Sequence, residues 1–120
     1  MKLALIGAMD IEITFLVDNL TQKEEIKLSN FTFYKGMIFN HEVIIVKSGI
    51  GKVMSGVLIS ALMNNFHDLD KVINIGVAGG LKPLKIADIV IGTHYLFGDV
   101  DLTSLDEVPY GQMAHYPLLL

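Results

Sequence analysis

The chain has 120 residues, 52% hydrophobic and 18% charged, with a formal net charge of −4. That length holds one domain or part of one, and its nine Lys residues are scattered, so the sequence has no basic footprint for nucleic acid. Cysteine is absent, which excludes disulfides and thiolate metal sites.

The amino-terminal apolar run Leu3–Met9 is broken by Asp10 and Glu12, too early for a secretory leader. The longest uncharged stretch, Val53–His67, falls short of the roughly 18 residues a membrane span needs. A soluble, cytoplasmic protein with no membrane partner is expected. Free-standing domains are about a quarter charged. The lower share here, and the uncapped Leu118-Leu119-Leu120 at the end, lead us to expect part of a larger domain.

Leu3–Ile6, closed by Gly7, reads as a buried strand. Asp10–Leu20 carries Ile11, Phe15, Leu16 and Leu20 at helical spacing, with Asp10 and Glu12 in a first turn whose dipole favours negative charge. Glu25–Leu28, Thr32–Phe39 and Glu42–Lys47 are rich in β-branched and aromatic residues. Ser29-Asn30 and Asn40-His41 punctuate them, which predicts an antiparallel meander. Ser48-Gly49-Ile50-Gly51-Lys52 opens a second helix, Val53–Phe66, with Met54, Val57, Leu58, Ala61 and Leu62 on one face. Val72–Ile75 is a further buried strand ending in Gly76-Val77-Ala78-Gly79-Gly80, and Asp88–Ile91 begins another, with Tyr95 as its far limit. The alternation predicts an α/β fold with a mixed, largely parallel sheet.

Ligands in such sheets settle at the carboxyl ends of the strands, where glycine turns admit the backbone. Three segments qualify: Gly7–Glu12, Ser48–Lys52 and Gly76–Gly80. Each alone also reads as an ordinary strand-to-helix turn. Gly49-Ile50-Gly51-Lys52 is not a phosphate-binding P-loop, because Val46 holds the earlier glycine position and Val53 follows the lysine. It is not a dinucleotide fingerprint either, because Met54 holds the third glycine position. His41, His67, His94 and His115 show no ligand spacing, so no metal and no cofactor are expected.

Taken together, Ile6-Gly7-Ala8-Met9-x-x-Glu12, Lys47-Ser48-Gly49-Ile50-Gly51-Lys52-Val53 and Asn74-x-Gly76-x-Ala78-Gly79-Gly80 resemble the 5′-methylthioadenosine/S-adenosylhomocysteine nucleosidase family. Asp88-Ile89-Val90, Asp99-x-Asp101-x-Thr103 and Tyr110-Gly111-Gln112 continue the match in register. The resemblance spans nearly all of this chain but only about the first half of the family's usual length. It implies a three-layer α/β/α nucleoside phosphorylase-like fold, with residues 1–120 forming the amino-terminal part of a single, truncated nucleosidase domain. It further implies a homodimer in the full-length form and a small-molecule nucleoside substrate cleaved to adenine and a thioribose.

Cleaving an N-ribosidic bond passes through an oxocarbenium-like sugar, so the base must be protonated and a water placed by the anomeric carbon. The resemblance gives Glu12 the water-holding role; its other reading is a first-turn acid suited to the helix dipole. By the same resemblance Ala8 and Met9 line the ribose region, Ile50 the alkylthio end, and Val77, Ala78 and Gly79 the purine and ribose. Leu102 caps the pocket, and Leu105 stands where a phenylalanine reaches into the partner chain's site. A carboxylate at the nucleophile's position repels a phosphate dianion, and the chain has no arginine, so a hydrolase is expected over a phosphorylase.

The chain departs from the family where Val77 replaces a common serine and Gly98 a histidine, and Asp106–Pro109 is longer and more acidic. These departures leave room for another nucleosidase, such as one acting on futalosine, for a phosphorylase, or for a non-catalytic nucleoside-binding remnant. The family's second carboxylate and its base-protonating aspartate have no counterpart here, so the isolated chain is expected to be inactive.

Overall fold

The computed structural model describes residues 1–104, 108–115 and 117. It forms two compact units, Met1–Gly79 and Gly80–Leu120. Among the described residues, the first contains all the helices and strands: β1 (Lys2–Gly7), α1 (Asp10–Asp18), β2 (Thr21–Leu28), β3 (Phe31–Ile38), β4 (His41–Lys47), α2 (Lys52–Asn65) and β5 (Lys71–Asn74). The strands make one sheet in the order β2-β3-β4-β1-β5. β1 runs parallel to β4 and β5, whereas β3 is antiparallel to both β4 and β2. The sheet is mixed, but its pairings divide evenly where a largely parallel arrangement was expected.

The period of two along the central strands sorts their side chains between the helices. Val43 and Ile45 of β4, with Leu3 and Leu5 of β1, pack with Ile13 and Val17 of α1. Ile44 and Val46, with Ala4 and Ile6, pack with Leu58, Ala61 and Leu62 of α2. The two helices therefore cover opposite faces, and the three-layer expectation holds. Burying each of the fully enclosed side chains (Phe33, Ile44, Ile45, Leu58 and Leu62 among them) is worth roughly 1.5–3 kcal/mol.

Both helical faces differ from those expected. In α1, Ile11 and Phe15 are exposed, and the seam is Ile13, Leu16, Val17 and Leu20. The segment carries two overlapping apolar spacings, and contact with β4 chooses between them. The helix stops at Asp18; Asn19 ends it, donating from its backbone N–H (3.3 Å) and its side-chain amide (2.7 Å) to the Phe15 carbonyl. In α2, Leu58, Ala61 and Leu62 are buried, but Met54 and Val57 of the first two turns are exposed. The helix starts on Gly51, whose φ of +105° is a conformation that favours glycine.

Other boundaries move for reasons of pairing. β2 begins at Thr21 rather than Glu25, because β3 supplies hydrogen bonds to a polar segment with little strand propensity of its own. An irregularity between Thr21 and Glu24 accommodates Gln22 at φ +54°. The first hairpin turns at Ser29-Asn30 as expected; the second turns at Phe39-Asn40, one residue earlier than read.

The second unit contains no helix or strand among its described residues. The strand expected from Asp88 is absent: Ile89 and Ile91 are 94% and 86% exposed, and no neighbour takes their backbone groups into a ladder. Strand propensity alone does not make a strand without a partner. Local hydrogen bonds organise this unit instead. Asp101 Oδ1 accepts from Thr103 N (3.1 Å) and Oγ1 (2.6 Å), Tyr110 Oη donates to the Gly98 carbonyl (2.6 Å), and Gly111 N donates to the Val100 carbonyl (2.9 Å).

Candidate functional site

The parallel strands β4, β1 and β5 end side by side, in the register Ile6↔Val46 and Ile6↔Asn74. The ladders continue one step further: Ser48 N donates to the Gly7 carbonyl (2.9 Å) and Ile75 N to the Ile6 carbonyl (2.8 Å). The three glycine-bearing segments singled out in the sequence therefore leave the sheet at one edge. Ser48 is buried there, its hydroxyl donating to the Gly49 carbonyl at 2.7 Å.

Glu12 lies at this edge, in the first turn of α1. Its Oε2 accepts hydrogen bonds from the Ala8 (2.7 Å) and Met9 (3.0 Å) amides, and its Oε1 accepts from the Val77 amide (3.3 Å). The first two donors belong to its own turn, where the Met9 bond also caps the helix. The third comes from beyond β5, 65 residues away. These bonds, with the Met9 amide foremost, hold the carboxyl below its ordinary pKa against a smaller opposing effect of desolvation. A carboxylate accepts at about four positions. Among the described residues three are filled, all by backbone amides, which by this count leaves one on Oε1 for a further donor.

Two glycines leave the carboxylate its space. A Cβ on Gly76 would lie 2.8 Å from Glu12 Oε1. One on Gly7 would lie 2.6 Å from Ile13 Cγ2 and 3.1 Å from Glu12 Cβ. Because Ile13 is a core residue, Gly7→Ala forces a shift inside the α1 seam. We expect it to destabilise the protein by roughly 1–3 kcal/mol in denaturant unfolding. An unchanged midpoint would show that the seam yields freely.

Lys47 Nζ pairs with Asp10 at 2.8 Å, tying the end of β4 to the start of α1. Both side chains are substantially exposed, so the pair orients the turn more than it stabilises it.

The structure brings together Glu12, Ala8, Met9 and Val77, and Ala78 and Gly79 follow directly, both exposed. Ile50, 77% exposed, lies in the loop after β4. Leu102, half-buried, belongs to the second unit, and Leu105 lies outside the described residues. The sequence reading missed two features. It considered Val77 only for the serine hydroxyl lost near the substrate, whereas the Val77 main chain also reaches Glu12 through its amide. It also took Gly76 for a turn glycine, whereas a Cβ there would lie 2.8 Å from Glu12 Oε1. The strand before it, expected to be buried, is exposed along β5, with Val72 and Ile73 at 41% and 40%. Among the described residues β5 pairs with β1 on one side, and neither helix covers it.

The family model described as Phosphorylase superfamily matches residues 2–118. The chain is 40% identical over 118 residues to the 5′-methylthioadenosine/S-adenosylhomocysteine nucleosidase of an Exiguobacterium species, covering 98% of this chain and 50% of that protein. The crystal structure of the Streptococcus pyogenes S-adenosylhomocysteine nucleosidase in complex with 5-methylthiotubericidin superposes with a TM-score of 0.91 at 38% identity, covering 99% of this chain and 50% of that one. A futalosine hydrolase mutant of Helicobacter pylori superposes with a TM-score of 0.88 at 35% identity, covering 99% and 52%. The chain thus spans about half the length of the curated relatives it matches. It belongs to the phosphorylase superfamily and aligns along nearly its whole length with 5′-methylthioadenosine/S-adenosylhomocysteine nucleosidases.

Proposed function

We propose that the complete protein hydrolyses the N-glycosidic bond of 5′-methylthioadenosine and S-adenosylhomocysteine, releasing adenine and a thioribose. The observation that carries this reading is the Glu12 carboxylate, gripped by three backbone amides at the carboxyl edge of the parallel strands, with one acceptor position free. A water donating into that position would be oriented by Oε1. Positive charge developing on the sugar would meet a carboxylate already fixed in place, so little reorganisation is needed as the bond breaks. Because Glu12's pKa is lowered, it serves as an acceptor and a negative charge rather than as a strong base. The water becomes acidic only as it bonds to the oxocarbenium carbon, and Glu12 then takes its proton.

Ala8, Met9, Val77, Ala78 and Gly79 would contact the ribose and purine, Ile50 the alkylthio group, Leu102 the top of the pocket, and Leu105 the partner chain's site. Residues 1–120 would form part of a single nucleosidase domain. A homodimer and a cytoplasmic setting belong to the same reading. Exposed Val53, Met54, Val57 and Met63 on α2 offer a second copy an apolar surface to cover. The 120-residue chain alone would be inactive, since no residue in it is assigned to protonate the departing base.

The test is adenine release from methylthioadenosine by the complete protein, in buffer with and without phosphate. Hydrolysis predicts equal rates and free methylthioribose. A rate that needs phosphate would make the protein a phosphorylase and overturn the role given to Glu12. A nucleosidase for futalosine is the second reading, favoured by the likeness to the Helicobacter protein. Turnover of futalosine in preference to methylthioadenosine would establish it.

A further inference from the structure

Gly7 and Gly76 both crowd Glu12, but they crowd different parts of it, and the consequences differ. A Cβ at Gly7 clashes with the packed Ile13 side chain at 2.6 Å and crowds the backbone-proximal Cβ of Glu12 at 3.1 Å, with Oε2 only in ordinary contact at 3.5 Å. The three atoms nearest a Cβ at Gly76 all belong to the far end of Glu12, at 2.8 Å from Oε1, 3.3 Å from Cδ and 3.6 Å from Oε2. The backbone at Gly76 is not in the left-handed region, so its φ does not itself call for glycine. The nearest obstacle to a side chain at 76 is the carboxylate.

We propose that Gly76 is a positioning residue for the hydrolytic reaction: its missing side chain is the space in which the Glu12 carboxylate reaches the Val77 amide. This rests on the catalytic role proposed for Glu12. The parallel pairing of β5 with β1, extended by the Ile75–Ile6 hydrogen bond at 2.8 Å, presents Gly76 and the Val77 N–H to α1. A methyl group at 76 leaves the sheet register alone. The flexible end of Glu12 is what moves, and Oε1 gives up the Val77 bond, already the longest of its three at 3.3 Å. A displacement of this kind, on the order of 1 Å, is enough to cost about 10²-fold in rate.

The experiment compares wild type, Gly76→Ala, Glu12→Ala and the double variant in the complete protein, with methylthioadenosine as substrate. Gly76→Ala is expected to lower kcat by about 10²-fold with little change in KM. The acid limb of its pH–rate profile should move to higher pH, because a donor to the carboxylate is lost. In the Glu12→Ala background the same methyl should cost no further activity and no stability, since the carboxylate it displaces is gone. Wild-type kcat in Gly76→Ala alongside an inactive Glu12→Ala would overturn the positioning role while leaving the Glu12 reading intact. An active Glu12→Ala would overturn that reading itself. Should Gly76→Ala unfold the protein in both backgrounds, the glycine serves the fold and the proposal fails; unfolding relieved by Glu12→Ala would support it.

Discussion

Glu12→Gln in the complete protein is expected to lower kcat for adenine release by about 10²–10⁴-fold, with affinity for adenine nearly unchanged. The substitution keeps the side chain's size but removes its charge and one of its two acceptor oxygens. Glu12 accepts on both oxygens, from Ala8 and Met9 on one side and Val77 on the other. A glutamine must turn its NH₂ group toward one of these N–H groups, so one side of the grip is lost along with the negative charge facing the oxocarbenium ion. Thermal unfolding should show a folded protein, which separates lost chemistry from lost structure. Wild-type turnover in this variant would remove Glu12 from the mechanism.

The pH profile follows with a definite sign. The reaction uses ionised Glu12, and its backbone donors depress the folded-state pKa. The rate should therefore fall on acidification only below the ordinary glutamate range, as pH drops through the depressed value. Stability moves the same way. The unfolded chain binds the proton at higher pH, so Glu12's contribution is complete above its unfolded pKa and is lost as pH falls through the folded one. Glu12→Gln should abolish both effects.

Phe33→Ala is expected to destabilise the protein by roughly 3–5 kcal/mol in urea unfolding. Phe33 is fully buried on β3, its ring centroid 6.4 Å from Phe31 and 5.2 Å from Phe66. It belongs to the same cluster as Leu58, Ala61 and Leu62 of α2, so truncation opens a cavity between sheet and helix. Because domains are stable by only about 5–15 kcal/mol, the loss is a large share of the total. A cost under about 1 kcal/mol would mean that α2 collapses freely onto the sheet, contrary to the close packing of interiors.

What the sequence determined by itself was the kind of each element in the first unit and the places where glycine ends them. Leu3–Ile6 and Glu42–Lys47 are apolar runs too short for helices, and Val53–Phe66 is too long for a strand, so local pattern sufficed. Glu12 was singled out because the spacing around it matched a family; an acid in a first helical turn, which suits the dipole, carries no such signal alone. Tertiary structure decided everything that depends on a neighbour. The seam of α1 could be read through Ile11 and Phe15 or through Ile13 and Val17 until β4 supplied Val43 and Ile45. The polar start of β2 became strand because β3 lay beside it, and Ile89–Ile91 did not become strand because no ladder took it up. The grip on Glu12 by an amide 65 residues away, and the empty space at Gly76 that admits it, arise only when β5 pairs with β1. A backbone N–H carries no side-chain signature, and a missing Cβ shows its purpose only beside the atom that fills its place.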